Sequence, residues 1–369
     1  MGKAGGQITL LSLIYFLIVL SILVMVHEFG HFFTAKRLGV KVEKFSFGFG
    51  PRLFSIKKDE TEYLISLIPL GGYVKMAGDE PSEAKNDPGE FLSKSISDRF
   101  KIIFAGPLLN YILAFLIFSA IFMFGSPTMT TEVGSLLKDY PAEKYGLKTG
   151  DKILAVNGKN VKYWEDMTEI IHKNTEGPIK LTVESSGTVR DAEIMPLVRQ
   201  TKDIFGKEAK IALLGIAPSQ KIEKVKYDFF TSFYMGGKKL VQLTALTYKA
   251  IWSMCIGRLS VKESMTGPIG IFIITGKAAE LGFIYLAHLM AILSASLAIF
   301  NLLPLPVLDG GHIIFLALEK LRGKPLSMKT QEAITSAGVV FLILLTIFIF
   351  YNDMLKFGIF SKMAGIFKK

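Results

Sequence analysis

Four long blocks of the sequence carry no charged residue, and they constrain the fold more than any other feature. The blocks are residues 8–26, 102–131, 282–303 and 333–351. A helix needs about 20 apolar residues to cross the hydrocarbon core of a bilayer, so each block is long enough to span a membrane. The sequence therefore predicts a polytopic α-helical membrane protein with about four transmembrane helices.

Charge and cysteine content narrow the classes of partner and of metal site. The net charge is +11, and lysine and arginine cluster beside the apolar blocks, which suits an anionic membrane surface. No basic patch with interleaved aromatic residues indicates nucleic acid, so membrane lipid is an expected partner and nucleic acid is not. The single cysteine, Cys255, leaves histidine and carboxylate side chains as the ligands of any zinc site.

The first block is followed directly by the pentad HEFGH at residues 27–31. Positions i and i+4 share one face of a helix, so His27 and His31 can hold one metal ion while Glu28 acts on a water molecule. A motif with only three fixed residues recurs by chance in many sequences. Here, however, its ionisable side chains lie at the end of a span, where they are costly unless they are paired, bound to a metal or hydrated. The alternative is a solvated segment that begins after Val26. A signal peptide is disfavoured, because no small-residue cleavage site follows the block.

A second polar group closes the third block, in the segment from Asn301 to His312. Two prolines break the helix there, and irregular backbone at membrane depth is tolerated only against protein or a water-lined cavity. Asp309 stands ahead of two glycines that allow a close backbone approach, and it is the natural third ligand. Each ligand group lies at the C-terminal end of its span, so the two spans must run in the same direction, with one span between them. If residues 240–256 also crossed, the ligands would lie on opposite sides of the membrane. These residues are therefore predicted to lie in the interface.

Between the first two blocks, residues 63–76 alternate in apolar character and contain Gly71-Gly72. The pattern predicts a β-hairpin or meander that turns at the two glycines. An exposed edge of such a hairpin could pair with an extended peptide by strand addition. A purely structural hairpin fits the pattern equally well.

Residues 132–218 form a soluble interlude of strand and turn signals. Within it, residues 141–158 predict a short helix, a Gly-Asp turn, a buried strand and an Asn-Gly turn. This block resembles a PDZ domain of the bacterial type. The resemblance implies a longer helix at 164–173 and a peptide-facing loop at 213–216.

HEFGH and the motif N-x-x-P-x-P-x-L-D-G at residues 301–310 together resemble the site-2 protease family of intramembrane zinc metalloproteases. The order of the apolar blocks, the hairpin, the Gly-Pro-Ile-Gly turn at 267–270 and the PDZ-like insertion resemble its bacterial branch. That branch is the regulator of sigma-E protease type, which cleaves anti-sigma factors. One departure is that this chain has room for a single PDZ domain. Another is Ser296, which stands where some relatives have a second asparagine.

The resemblance also assigns roles to individual residues. It implies a Zn²⁺ cofactor held by His27, His31 and Asp309, with Glu28 as the general base. It implies that Asn301 binds the substrate backbone or stabilises the oxyanion, and that the hairpin presents substrate as an added strand. The implied substrate-binding residues are Leu67, Ile68, Pro69, Leu70, Gly71, Gly72, Tyr73, Asn301, Pro304 and Pro306.

The predicted fold is thus a polytopic α-helical membrane protein with a membrane-associated β-hairpin and one inserted PDZ-like α/β domain. Its predicted segments are a first transmembrane helix with HEFGH (1–35), a cytoplasmic loop with the hairpin (36–101), a second transmembrane helix (102–131), the PDZ-like domain (132–218), interfacial amphipathic helices (219–281), a third transmembrane helix with the second motif (282–312), and a loop, fourth transmembrane helix and tail (313–369).

The expected function is hydrolysis of a peptide bond within or near the transmembrane segment of a single-pass membrane protein, such as an anti-sigma factor or a remnant signal peptide. Lysine and arginine at 36–101 and 320–329 place those loops in the cytoplasm and the PDZ-like domain outside a bacterial inner membrane. The basic tail at 356–369 argues mildly against this orientation. The alternatives are a non-catalytic membrane adaptor that binds protein termini, and a surface zinc protease tethered by its first span.

Overall fold

The computed structural model describes residues 10–80, 85, 87–219 and 221–360, apart from the side chain of Leu70. The helices are α1 (Leu10–Arg37), α2 (Ile96–Phe124), α3 (Pro141–Lys144), α4 (Trp164–Lys173), α5 (Phe229–Cys255), α6 (Val261–Ser264), α7 (Pro268–Leu281), α8 (Phe283–Asn301), α9 (Asp309–Arg322) and α10 (Met328–Lys356). The strands are β1 (Val42–Lys58), β2 (Thr61–Met76), β3 (Ser126–Met129), β4 (Val133–Leu136), β5 (Lys152–Val156), β6 (Lys159–Asn160), β7 (Ile179–Ser185), β8 (Thr188–Ile194), β9 (Leu197–Lys202), β10 (Glu208–Leu213), β11 (Ile216–Pro218) and β12 (Ile222–Val225). The chain divides into a first unit (1–120, 233–248 and 261–369) and a second unit (121–232 and 249–260).

Among the described residues, four helices are long and apolar enough to cross a membrane, namely α1, α2, α8 and α10. They overlap the four predicted blocks and agree with the expectation of about four spans. Large apolar side chains on them stay exposed, for example Leu116 at 48% and Leu344 at 61%. So much exposed apolar surface would be unfavourable in water and suits contact with lipid.

The second span differs from its predicted bounds of 102–131. Helix α2 begins at Ile96, within the polar segment before the block, and ends at Phe124, after which Ser126–Met129 forms strand β3. Gly125 adopts φ +124, a backbone conformation that ends the helix. The residues on both sides of Phe124 are uncharged, so the lack of charge in the sequence did not show where the helix ends.

The segment 219–281, predicted to hold helices, begins with strand β12 and continues with α5, α6 and α7, of which α5 is one continuous helix over residues 229–255. The carboxylate of Asp228 caps its first turn by accepting a hydrogen bond from the backbone N–H of Thr231 at 3.1 Å. Helix α5 is not one of the four candidate spans. Its location in the membrane interface stays a prediction.

The hairpin turns at a different place from the one predicted. Asp59 and Glu60 make the turn between β1 and β2, with Asp59 at φ +53, whereas Gly71 and Gly72 lie inside β2. The predicted tight turn at the two glycines is therefore not formed, although residues 62–65 and 72–75 run in opposite directions along residues 44–47, so the chain reverses just before the glycines. They serve close packing instead, since a Cβ at Gly71 would overlap the ring of Phe49.

Strand pairing in this region is more elaborate than in a simple hairpin. Residues 44–47 of β1 pair with 72–75 of β2 and also with 62–65 of the same strand. Residues 52–58 of β1 pair in turn with 61–66. The register therefore shifts several times, and residues 72–76 form an outer segment whose pairing with β1 occupies one side.

Between α8 and α9 the chain makes a compact loop at residues 302–308. A Cβ at Gly310 would overlap the backbone of Leu302 and Leu303, and a Cβ at Gly311 would overlap that of Leu305 and Pro306. The two glycines therefore let the start of α9 fold back against the loop. This backbone contact fixes where Asp309 emerges.

The second unit has its own core around the four-stranded sheet β6-β5-β7-β8. Its helix α4 occupies the residues predicted for the longer helix and buries Met167 among the sheet residues Ile153, Leu181 and Val183. At the predicted peptide-facing loop, the carbonyls of Leu214 and Gly215 accept hydrogen bonds from Ala142 and Leu137, respectively. The PDZ-like nature of this unit stays a prediction.

In the first unit, Asp353 of α10 anchors the start of α7. This fully buried carboxylate accepts hydrogen bonds from the backbone N–H groups of Gly267 at 3.1 Å and Gly270 at 2.9 Å. Helix α7 packs in turn on α1, where the rings of Phe272 and Phe16 meet edge to face at 5.7 Å. The carboxylate thus satisfies helix-terminal donors that have no partner within α7.

We predict that Asp353→Ala lowers the free energy of unfolding by about 1–3 kcal/mol, because two buried N–H groups lose their acceptor. Asp353→Asn keeps one acceptor oxygen and should lose less. Melting temperature in detergent measures both effects, with Glu332→Ala on the exposed side of α10 as the control. Equal melting temperatures for Asp353→Ala and wild type would contradict the anchoring role.

Candidate metal centre

Two imidazoles and one carboxylate from distant parts of the sequence meet in the first unit. His27 and His31 lie one helical turn apart on α1, and Asp309 is the first residue of α9. The two Nε2 atoms are 3.2 Å apart. Asp309 places Oδ2 3.2 Å from Nε2 of His27 and Oδ1 3.6 Å from Nε2 of His31. The structure therefore brings together all three predicted ligands.

These separations fit a tetrahedral zinc ion. Ligand distances of about 2.0–2.2 Å place two ligands of such an ion roughly 3.3–3.6 Å apart. Oδ2 of Asp309 is buried and has no hydrogen-bond partner among the described residues. A buried carboxylate oxygen without a partner is costly, and a cation between the three side chains would remove that cost.

The hydrogen bond of His31 to α2 sets which nitrogen faces the metal position. Its Nδ1 lies 2.9 Å from the carbonyl oxygen of Ile102. A carbonyl can only accept, so we assign the proton to Nδ1, which leaves the lone pair of Nε2 free for a metal ion. Such a bond also fixes the orientation of the ring.

Two glycines bring α1 and α2 into backbone contact beside the site. A Cβ at Gly30 would overlap the backbone of Ala105, and a Cβ at Gly106 would overlap the imidazole of His31 and crowd Cε1 of His27. A small residue such as Gly106 permits close helix approach. The sequence does not indicate that the approach is against the imidazoles, because that contact depends on how the helices dock.

Glu28 lies between the metal-ligand group and the hairpin. Its carboxylate lies close enough to His27, Asp309 and the backbone of Val74 to interact electrostatically with all three. A Cβ at Gly72 would come within 3.4 Å of its Cγ. Glu28 is thus held at the outer segment of β2, a neighbour that the sequence did not predict.

The residues of the motif at 301–310 have different surroundings in the structure. The amide nitrogen of Asn301 lies 3.4 Å from each ring nitrogen of His27, so this side chain belongs to the site. Pro304 is exposed. Pro306 packs against α10, where a Cβ at Gly338 would contact it at 3.2 Å.

The hairpin residues predicted to bind substrate have different surroundings. Leu67 and Ile68 are exposed, and Gly72 adjoins Glu28. Tyr73 stacks on Phe49 with ring centroids 6.2 Å apart. The side chain of Leu70 lies outside the described residues.

An apolar groove of about 450 Å³ lies between α1 and the hairpin. The carbonyl of Pro69 accepts a hydrogen bond of 2.8 Å from the hydroxyl of Ser21 and so ties the hairpin to α1 beside the groove. Val26, the residue before His27 on α1, lines one end of the set of α1 residues in the groove. The lining residues of the groove are Leu17, Ile18, Ser21, Ile22, Met25, Val26, Phe47 and Pro69.

The other histidines lie outside the metal-ligand group. The ring of His288 packs edge to face on Phe118 at 5.4 Å. His312 lies beside Phe315 on α9, and His172 is exposed on α4. Across the described part of the chain, His27, His31 and Asp309 are the cluster of three or more potential metal ligands.

Comparison with known proteins agrees with this chemistry. The model of peptidase family M50 matches residues 15–345. The chain is 30% identical to zinc metalloprotease RasP of Geobacillus kaustophilus, over 95% of this chain and 99% of that protein. It is 34% identical to a Clostridium acetobutylicum protein, over 93% of this chain and 97% of that protein.

A solved structure, the PDZ domain of the SdrC-like protein from Listeria innocua, is also similar to part of the chain. It is 22% identical and covers 25% of this chain and 96% of that chain, with a TM-score of 0.20. A likeness at that score supports no conclusion about the second unit.

We predict that the protein purified in detergent binds about one zinc ion per chain and that His31→Ala and Asp309→Ala each lose most of it, because a three-ligand site cannot lose a ligand cheaply. Metal analysis by atomic emission measures the content. His172→Ala, which removes an exposed histidine, is the control. A full zinc complement in Asp309→Ala would place the metal elsewhere.

Gly106→Ala should also lower zinc affinity, because the added methyl group displaces the imidazole of His31 from the metal position. Gly237→Ala is a matched control, since a Cβ at that helical glycine would meet only Phe115, at an ordinary 3.6 Å. Competition with a chromophoric chelator measures both affinities. Equal affinities in the two variants would show that the imidazoles tolerate the methyl group.

Proposed function

This chain belongs to peptidase family M50 and is an intramembrane zinc metalloprotease, and from that premise we propose that His27, His31 and Asp309 hold the zinc ion while Glu28 is the general base. The observation that carries the proposal is the convergence of the three donors at separations of 3.2, 3.2 and 3.6 Å. Asp309 follows the loop 302–308 at the end of the candidate span α8, and its carboxylate reaches the imidazoles on α1. This arrangement favours an intramembrane site over a tethered surface protease.

The proposed chemistry is hydrolysis of a peptide bond. Held by His27, His31 and Asp309, a zinc ion would keep one position open, polarise the scissile carbonyl and lower the pKa of a water molecule. Glu28 takes the proton of the attacking water and passes it to the leaving amine. Asn301, whose amide nitrogen lies 3.4 Å from His27, donates a hydrogen bond to the oxyanion or to the substrate backbone.

The hairpin supplies a way to hold substrate in extended form. Residues 72–76 pair with β1 on one side, and the interaction of Val74 with Glu28 supports an orientation in which the other side faces the catalytic carboxylate. A helical peptide bond is hidden by its own hydrogen bonding, so a transmembrane substrate must unwind before cleavage. Pairing beside β2 would stabilise the unwound segment.

The proposed substrate-binding residues come from the hairpin and from the motif at 301–310. They are Leu67, Ile68, Pro69, Leu70, Gly71, Gly72 and Tyr73 of β2, with Asn301, Pro304 and Pro306 on the opposite motif. The groove between α1 and Pro69 would accept apolar side chains of the substrate. The proposed substrate is a single-pass membrane protein, such as an anti-sigma factor or a remnant signal peptide.

The proposed location is the bacterial inner membrane, where the enzyme contacts membrane lipid. Lysine and arginine in the loops at 36–101 and 320–329 support placing those loops in the cytoplasm. The second unit, with its α4 helix and four-stranded sheet, is then an extracytoplasmic PDZ-like domain. Residues 361–369 of the basic tail lie outside the described residues. A purely adaptor role would leave the Glu28 and zinc-ligand constellation unexplained.

We predict that Glu28→Gln lowers cleavage of a membrane-spanning substrate by about 10²-fold or more, since an amide cannot take up the proton. Zinc content should stay at the wild-type level, because Glu28 is not a proposed ligand. Cleavage in detergent, followed by gel mobility of the substrate, measures turnover, with the exposed Glu332→Gln as the control. Undiminished turnover in Glu28→Gln would contradict the assigned role.

A further inference from the structure

Helix α9 is attached at both of its ends. Within the described part of the chain, its side-chain polar contacts with other elements come from two residues. Asp309, the first residue, meets His27 and His31 of α1. Glu319, in the last turn, meets Arg99 of α2. The helix that carries the third ligand therefore has a polar attachment distant from the metal position.

The Arg99 and Glu319 contact has the geometry of a strong, directional ion pair. Nη1 of Arg99 donates to Oε2 of Glu319 at 3.1 Å, and Nη2 donates to Oε1 at 2.5 Å. The side chains are only 9% and 16% exposed. A planar guanidinium that binds both oxygens fixes the angle as well as the distance between its two helices.

The same face of α2 also orients a metal ligand. Ile102 lies three residues after Arg99, and its carbonyl oxygen accepts the hydrogen bond from Nδ1 of His31 at 2.9 Å. Residues three apart on a helix point in similar directions. The first turns of α2 thus contact His31 on α1 through Ile102 and contact α9 through Arg99.

We propose that Arg99 and Glu319 are positioning residues for the zinc site, which hold α9 so that Asp309 reaches both imidazoles. The inference rests on the proposed role of His27, His31 and Asp309 as zinc ligands. Glu319 lies ten residues after Asp309, which is about 15 Å along the axis of α9. A tilt of α9 at its far end therefore moves the Asp309 carboxylate relative to α1.

The variants Arg99→Met and Glu319→Gln test the proposal. Each should raise the zinc dissociation constant about 10-fold to 100-fold, the range typical of residues that orient metal ligands. Arg99→Lys keeps the charge and loses the second hydrogen bond, so its loss should be intermediate. Competition with a chromophoric chelator gives the affinity, and the visible spectrum of the Co²⁺-substituted protein reports the ligand geometry.

Lys101→Met is the matched control, because Lys101 forms an exposed ion pair of 2.9 Å with Asp98 on the same helix. Its zinc affinity should stay within about twofold of wild type, since exposed pairs contribute little. Melting of the zinc-free protein separates the roles. A merely structural pair would lower the melting temperature and leave the affinity and Co²⁺ spectrum of the folded protein unchanged.

Failure of this inference and failure of the proposed zinc site give different results. If Asp309→Ala loses zinc while Arg99→Lys and Glu319→Gln bind it as wild type does, the positioning role is overturned and the site stands. If Asp309→Ala binds zinc normally, the ligand assignment itself fails. Should Arg99→Met not fold, the two conservative variants still decide the question.

Discussion

The structure depends most on the approach of the Asp309 carboxylate to two imidazoles within a largely apolar environment. Neutral imidazoles cannot balance a negative charge, and the cost of desolvating a carboxylate is high. The proposed zinc ion between the three side chains would turn this cost into binding energy, because it would compensate the carboxylate and use the lone pairs of both rings. The surrounding helices must therefore hold donors from α1 and α9 at the spacing that one ion requires.

Glycine makes that spacing possible at each place where helix backbones meet. Gly30 and Gly106 bring α1 against α2, and Gly310 brings the start of α9 against its preceding loop. Between membrane helices, small residues permit close packing where bulkier side chains would separate the backbones. Here the close packing also leaves room for the imidazoles, so the same residues serve both the fold and the site.

The sequence predicted the parts of the molecule that follow from local spacing or from the cost of charge in a membrane. The face shared by His27 and His31 is a property of any helix, and Asp309 stood out as a carboxylate beside a predicted span. The hairpin turn at Asp59 could not be predicted, because Gly71 and Gly72 matched a turn pattern equally well and their real role depends on Phe49. The contact between Arg99 and Glu319 spans 220 positions and leaves no periodic signal.

Three carboxylates in the first unit differ in the hydrogen-bond partners of their oxygen atoms. Asp353 accepts hydrogen bonds from two backbone N–H groups, and Glu319 is matched by a guanidinium fork. Asp309 has a buried oxygen with no hydrogen-bond partner among the described residues, although protein surrounds it. A fold that satisfies the first two carboxylates in full can leave the third unsatisfied only at a free-energy cost. The proposed zinc ion would recover that cost. Asp79 also has a buried oxygen without a partner in the described part of the chain, so the distinguishing feature of Asp309 is the pair of imidazoles beside it.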